Sequence, residues 1–189
     1  MKQEVKQSEQ LLLEEGLIRN AQNDPNAFRP LYERYYKPIF LFALHRIGQK
    51  DTTADVVSQV FLKAMLNIGK FKFKGLPFSA WLYRIAINEC NDFFRRTKRE
   101  RLVVLEDSSV DLLYEEMFGE ETLDDLKRKL PLILEKLTPE ELQIIELRFL
   151  ENRAFKEVAE ILDITENYAK VRTYRILDKM KGIFIKNSV

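Results

Sequence analysis

Cysteine and histidine are scarce in this sequence of 189 residues. Its single cysteine, Cys90, and its single histidine, His45, exclude a disulfide framework and a zinc-finger spacing. It has no run of about 18 apolar residues, and residues 1–15 are too charged for a signal peptide. These absences predict a soluble cytoplasmic protein without membrane insertion, in which Cys90 is a small buried thiol.

Charge is strongly segregated along the chain, although the formal net charge is only +1. Residues 26–101 carry fifteen basic and six acidic side chains, and residues 127–189 carry thirteen basic and ten acidic ones. Between them, residues 102–126 carry nine acidic side chains and no basic one. Because local basic fields set phosphate contacts, the near-neutral total does not argue against nucleic acid binding.

The last quarter of the chain has the pattern of a helix-turn-helix. Thr138-Pro139-Glu140-Glu141 combines an N-cap, a proline at the first helical position and a glutamate three residues after the cap, which predicts a helix to about Leu150. A short apolar pattern from Phe155 to Leu162 follows, and Thr165 can cap a third helix from Glu166 to about Lys181. A short helix, a tight turn and a longer basic helix are typical of DNA-binding helix-turn-helix proteins.

The last predicted helix has two different faces at about 100° per residue. One is an apolar stripe that packs on the preceding helices, whereas the other can contact base edges, phosphates or a thymine methyl in the major groove. An ordinary solvated surface helix is the alternative. The stripe consists of Ala169, Thr173, Ile176 and Met180 with Leu177 at its edge, and the candidate DNA-binding residues are Lys170, Val171, Arg172, Tyr174 and Arg175.

The first basic block is predicted to be an all-α domain. Residues 28–94 contain 14 of the 21 aromatic residues, with apolar positions at helical spacing. Helices are expected from about Ala27 to Ile47 and from about Thr53 to Ile68. The second has a core side of Val57, Val60, Phe61, Ala64 and Ile68 and an outward side of Asp55, Gln59, Leu62 and Leu66. Leucines on a polar outward face favour a protein partner, with simple surface decoration as the alternative.

Between these helices and the next one, residues 69–78 alternate lysine with phenylalanine between two glycines. This Lys/Phe loop suits single-stranded nucleic acid, since lysines follow phosphates and rings stack on bases, although an edge strand has the same alternation. Ser79 is predicted to cap a helix from Ala80 to about Arg99, for which an amphipathic core helix with a solvated charged end is the alternative. The candidate residues for melted DNA are Phe71, Lys72, Phe73, Arg84, Asn88, Arg95 and Arg96.

Several motifs, in this order and spacing, carry a family resemblance. They are Leu31-Tyr-Glu-Arg-Tyr-Tyr36, Asp55-Val-Val-Ser-Gln-Val-Phe-Leu-Lys-Ala64, Phe78-Ser-Ala-Trp-Leu-Tyr-Arg-Ile-Ala-Ile-Asn88, Leu137-Thr-Pro-Glu-Glu141, Lys156-Glu-Val-Ala-Glu-Ile-Leu162 and Lys170-Val-Arg-Thr-Tyr-Arg-Ile-Leu177. Together they resemble a bacterial RNA polymerase sigma factor of the extracytoplasmic-function (ECF) group of the sigma-70 family, over nearly the whole chain.

The resemblance implies two small all-α domains joined by an acidic linker. Residues 1–25 would be an N-terminal helical segment packing on sigma domain 2 at 26–101, and residues 102–128 the linker before sigma domain 4 at 129–186. It implies a non-enzymatic initiation subunit, without cofactor, metal or small-molecule substrate, that binds core RNA polymerase and promoter DNA. An anti-sigma factor is a further candidate partner.

The resemblance also implies roles for the candidate residues. The helix with Asp55, Gln59, Leu62 and Leu66 would dock on the clamp coiled coil of the largest polymerase subunit. The Lys/Phe loop and the helix after it would recognise and melt the minus-ten element by flipping out a nontemplate base. The helix-turn-helix would read the minus-thirty-five element as duplex. Two departures from the family pattern are Thr53-Ala54-Asp55 in place of Ala-Glu-Asp and Asp163 where a glycine is common.

Two alternatives and one hypothesis remain at this point. The alternatives are a helix-turn-helix regulator with an N-terminal sensing or dimerisation domain, and a nucleic-acid enzyme, for which the basic domain offers acids but no metal-ligand motif. Residues 106–125 are expected to form a solvated tether, or a short helix docked on a basic domain. We hypothesise that this acidic segment also screens the basic faces of the free protein.

Overall fold

The computed structural model describes residues 2–98, 113, 116–117 and 123–186. Its regular elements within those residues are all helical, without any strand, which confirms the all-α prediction. The chain divides into two compact units, Met1–Leu102 and Val103–Val189. None of the described helices has both the length and the apolarity needed to cross a bilayer. Most of the acidic segment, and with it the screening hypothesis, lies outside the described residues.

Within residues 2–98, the first unit forms four α-helices and two short 3-10 helices. α1 spans Lys2–Asn23, α2 Arg29–Ile47, α3 Lys50–Asn67 and α4 Phe78–Thr97, with 3-10 turns at Pro25–Phe28 and Ile68–Lys70. α2, α3 and α4 pack on one another, and the predicted core side of α3 is buried. Gly48 ends α2 at φ 78, in the left-handed region that glycine adopts without steric cost.

α4 begins two residues earlier than predicted, and the prediction that Ser79 caps it is wrong. Ser79 is buried in the first turn, and Pro77 at the N-cap position offers no side-chain bond. The backbone N–H of Phe78 instead donates to Oε2 of Glu14, on α1, at 2.6 Å. Because another helix satisfies this otherwise unpaired donor, the α4 sequence needs no cap of its own.

The described residues of the second unit include four further α-helices. α5 spans Leu123–Leu134, α6 Pro139–Ile145, α7 Phe155–Leu162 and α8 Glu166–Lys186, and a π-helical turn at Glu146–Leu150 extends α6. They enclose a core that includes Leu130, Ile133, Ile145, Phe149, Ile176 and Met180. Leu113 and Met117 of the acidic segment are buried in the same core, so at these two positions the chain is packed and not solvated.

Both predicted caps of the helix-turn-helix are confirmed. The Thr138 hydroxyl accepts from the N–H of Glu141 at 3.3 Å, and the Glu141 carboxylate accepts from the N–H of Thr138 at 3.0 Å. The Thr165 hydroxyl accepts from the N–H of Tyr168 at 3.2 Å. In the turn between α7 and α8, Asp163 takes the left-handed conformation, at φ 59 and ψ 45.

Candidate nucleic-acid interface

α8 presents the two faces that its sequence predicts. The apolar stripe from Ala169 to Met180 is buried, and Lys170, Val171, Tyr174 and Arg175 are exposed. Tyr168, in the first turn of α8, is also exposed and was not predicted as a site residue. The signal for it was its place in the N-terminal half of the helix, which normally contacts bases.

Arg172 differs from the other α8 candidates because it faces back towards α6. Its guanidinium lies 3.5 Å from the Glu141 carboxylate, which also accepts a 2.6 Å hydrogen bond from the Lys179 ammonium. The bond from Lys179, aided by the Thr138 N–H and by Arg172, lowers the pKa of Glu141 against the opposing effect of burial. Glu141 therefore stays ionised and ties the first helix of the motif to the last.

The Tyr174 ring packs near Phe155 of α7, which in turn lies near Arg148 of the π-helical turn. Its ring lies 6.3 Å from the ring of Phe155, and the Arg148 guanidinium lies 5.1 Å from the centre of the Phe155 ring. These contacts limit the side-chain freedom of an exposed aromatic ring. A ring whose motion is limited in this way can contact the major groove of DNA at a lower cost in side-chain entropy.

In the first unit, the Lys/Phe loop is neither helix nor strand at residues 71–77, so the edge-strand alternative is wrong. Gly75 turns it at φ +70. Phe71 is half-buried, with ring-centre distances of 5.3 Å to Phe78 and 5.1 Å to Trp81. Phe73 is half-buried and Lys72 is exposed.

α3, α4 and the start of this loop line a groove of about 700 Å³, called the aromatic groove below. It combines aromatic walls with amides and cations, which suits a base that is stacked and bonded along its edge. Of the predicted melting residues, it includes Phe71, Asn88 and Arg95, whereas Lys72, Phe73, Arg84 and Arg96 lie outside the lining. Its other members are Lys63, Asn67, Lys70, Trp81, Ile85, Glu89, Asn91 and Asp92.

Both acids of the aromatic groove are paired with cations. The Lys63 ammonium lies 2.5 Å from the Glu89 carboxylate, and the Arg95 guanidinium lies 2.8 Å from the Asp92 carboxylate. Lys70 adds a further exposed cation, which leaves the lining with one positive charge in excess. Lys63 and Asn67 were not predicted because no local spacing relates α3 to α4. Lys70 was not predicted as a site residue either, although it belongs to the Lys/Phe loop.

The outward face of α3 is exposed as predicted. Asp55 and Gln59 are exposed, and Leu66 is 69% exposed to solvent. Leu62 and Met65 extend into a shallow, mostly apolar groove of about 360 Å³, which Pro25, Asn26, Phe28, Arg29, Tyr32 and Phe61 complete. Tyr32 and Met65 were missed, since the groove depends on how α2 and α3 pack.

No group of three or more His, Cys, Asp and Glu side chains within the described residues could hold a metal ion. The candidate binding surfaces are the exposed face of α8, the aromatic groove and the apolar face of α3.

Residues 31–100 match the family Sigma-70 region 2, and residues 133–182 match Sigma-70, region 4. The helical fold and the two family matches thus define a two-domain sigma protein, a class that is not an enzyme family. The first unit carries region 2 and not the sensing or dimerisation domain of the regulator alternative.

The chain belongs to the ECF RNA polymerase sigma factors. It is 30% identical to the ECF RNA polymerase sigma-E factor of Haemophilus influenzae, over 93% of this chain and 96% of that protein. It is 31% identical to the ECF sigma factor BldN of Streptomyces coelicolor over 84% of this chain, which spans only 61% of BldN. The solved structure of CnrH in complex with the cytosolic domain of CnrY has the same fold, with a TM-score of 0.61 at 21% identity over 92% of this chain and 97% of CnrH.

Proposed function

We propose that this sigma factor docks on core RNA polymerase through α3 and contacts promoter DNA through the aromatic groove and the exposed face of α8. The observation that carries the proposal is the aromatic groove. It brings an aromatic wall, three amides and three cations together on the unit that also carries the docking helix. A duplex-only regulator needs no such groove, because base stacking on protein rings requires an unpaired strand.

Docking on the polymerase is assigned to Asp55, Gln59, Leu62 and Leu66. Burying the exposed leucines would supply the apolar contact, at roughly 25 cal/mol for each Å² removed from water. Asp55 and Gln59 would add polar contacts that set the orientation. An anti-sigma factor stays a further candidate partner.

Minus-ten recognition is assigned to the loop and α4. Phe71 and Trp81 would stack a flipped base while the Asn88 amide bonds its edge, and stacking of this kind contributes about 1 to 3 kcal/mol per base. Arg95 also lines the groove. Lys72, Phe73, Arg84 and Arg96 lie outside the groove lining and would follow the strand on either side, through phosphate contacts and further stacking.

Minus-thirty-five recognition is assigned to Lys170, Val171, Tyr174 and Arg175, with Tyr168 added from the structure. Arg175 and Lys170 can bond guanine or phosphate, and Val171 can contact a thymine methyl. Arg172 would act mainly through its ion pair with Glu141 on α6. In this role the protein works in the bacterial cytoplasm and performs no catalysis of its own.

The test is transcription by sigma-free core polymerase supplied with the purified chain and a library of genomic fragments from its own bacterium. Discrete promoter-dependent transcripts are expected. Leu66→Glu should weaken core binding by about tenfold or more, because it places a charge in an apolar contact. Leu13→Glu is the matched control, since Leu13 on α1 is 70% exposed against 69% for Leu66.

Two results would contradict the proposal. A chain that neither retains core polymerase in a pull-down nor yields transcripts is not acting as an initiation subunit. Equal loss of core binding in Leu66→Glu and Leu13→Glu would remove the α3 face from the docking assignment and leave the rest of the proposal to be judged by the transcripts.

A further inference from the structure

We propose that α1 positions the Lys/Phe loop, with Glu14 and Gln22 each holding one end of it. Two separate sets of contacts reach from α1 to the two ends of the loop. The role rests on the proposed function of the aromatic groove, because the loop matters to promoter melting only if the groove takes a base. In this role Glu14 and Gln22 are positioning residues that act through Phe71 and Phe78 and do not contact DNA.

Glu14 holds the end of the loop where α4 begins. Glu14 as a whole is only 1% exposed, and a buried carboxylate is costly unless it is bonded on several sides. Oε2 accepts the Phe78 N–H at 2.6 Å, and Oε1 accepts from the Tyr35 hydroxyl with the Arg34 guanidinium 3.9 Å away. The last bend of the loop is thereby fixed to both α1 and α2.

Gln22 holds the other end of the loop. Its side-chain amide Nε2 donates to the backbone carbonyl of Ile68 at 3.0 Å and to that of Phe71 at 2.9 Å. Both amide hydrogens are therefore used on the chain that leaves α3. Glu14 and Gln22 lie eight residues apart on α1, or about 12 Å along the helix axis, so one rigid element spans the two ends.

The consequence for the groove lies in the position of the Phe71 ring. The Gln22 amide fixes the Phe71 carbonyl, and the Phe71 ring contacts Trp81 and Phe78 on α4. Glu14 fixes the backbone of Phe78, which is fully buried beside both rings. α1 therefore sets the aromatic wall before DNA arrives, which spares binding the entropic cost of ordering the loop.

The sequence contains one tryptophan, Trp81, which reports on this wall in the free protein. Gln22→Ala and Gln22→Glu should each increase acrylamide quenching of Trp81 fluorescence by roughly twofold, because the loop opens more often. Gln22→Glu keeps nearly the same shape but places a carboxylate against two carbonyl oxygens. If Gln22 only filled space, the quenching of this variant would equal that of the wild type. Gln10→Ala, at an exposed position of α1, is the control and should not change quenching.

The same variants, as full chains on core polymerase, are then tested for open complexes by permanganate oxidation of unpaired thymines. Both Gln22 variants should lower the open-complex yield by roughly five- to tenfold, the loss expected from two hydrogen bonds to backbone carbonyls, and should bind core within about twofold of wild type. Gln22 is changed first because removing the buried Glu14 carboxylate endangers the fold of the whole unit.

Each result decides the proposal. Increased quenching with fewer open complexes and unchanged core binding supports it. Unchanged quenching overturns the bracing role, and increased quenching with normal open complexes overturns its importance for melting. If the wild-type protein forms no open complex at all, the proposed function is wrong. The quenching of the Gln22 variants still tests the bracing contacts in that case.

Discussion

At the scale of single residues, buried glutamates connect helices that are distant in the chain. Glu14 links α1 to α2 and α4, Glu89 on α4 pairs with Lys63 on α3, and Glu141 on α6 bonds Lys179 and approaches Arg172 on α8. A periodicity argument places glutamate on the solvated face of a helix. Here each carboxylate instead has a cation or a backbone N–H as its partner, and its loss would leave that partner unpaired.

Glu141→Gln is expected to destabilise the second unit in a pH-dependent way. The folded state lowers the pKa of Glu141 from its ordinary 4.5, chiefly through the Lys179 bond, so the stabilisation is present above that value. It is lost as pH falls through the lowered folded pKa. The variant should lose about 1 kcal/mol near pH 7, with Lys179 partly solvated, and the difference should shrink in acid. Urea unfolding at several pH values measures it, and a pH-independent difference would contradict it.

At the scale of elements, helix ends in this protein are set in two different ways. α6 begins with a complete capping box from its own sequence, and the Thr165 hydroxyl bonds the first turn of α8. α4 has no cap of its own and depends on Glu14 from α1. A cap within the same helix is readable from the sequence, whereas a cap supplied by another helix is not.

Thr138→Ala should destabilise the second unit by about 1 kcal/mol, the usual loss for an N-cap hydroxyl. Thr138→Ser keeps the hydroxyl and is the matched control, with stability close to that of the wild type. Chemical unfolding followed by helical circular dichroism compares the two. Equal stability of the alanine and serine variants would show that the capping box contributes nothing measurable.

At the scale of the whole molecule, each compact unit has a buried core of its own. Leu31 is fully buried in the first and Ile133 in the second. Units with separate cores can unfold in separate transitions, because the cooperativity of unfolding follows shared packing. A substitution in one core is then expected to destabilise that unit without unfolding the other.

Leu31→Ala and Ile133→Ala should therefore each move a different transition in calorimetry. Each substitution should cost about 2 to 5 kcal/mol in its own unit, through lost burial and a cavity. The unchanged transition of each variant is the internal control. A single transition that both substitutions shift equally would mean that the two units unfold together.

Local patterns in the sequence determined the helical class, the two basic blocks, both caps of the helix-turn-helix and the buried stripe of α8. These features depend on neighbours three or four residues away, and helical periodicity reports such neighbours directly. The same periodicity placed Leu62 and Leu66 on the exposed face of α3. The motifs also indicated the sigma family, which the matches to region 2 and region 4 confirm.

Only the tertiary structure decided which residues from different helices come together. It joined Lys63 and Asn67 of α3 to Asn88 of α4 in the aromatic groove, moved the start of α4 to Phe78, and turned Arg172 towards Glu141. The physical reason is that burial and ion pairing between helices depend on how whole faces pack, and residues dozens of positions apart leave no shared period in the chain. Sequence periodicity therefore gives the faces of each helix, and packing decides which of those faces form a site.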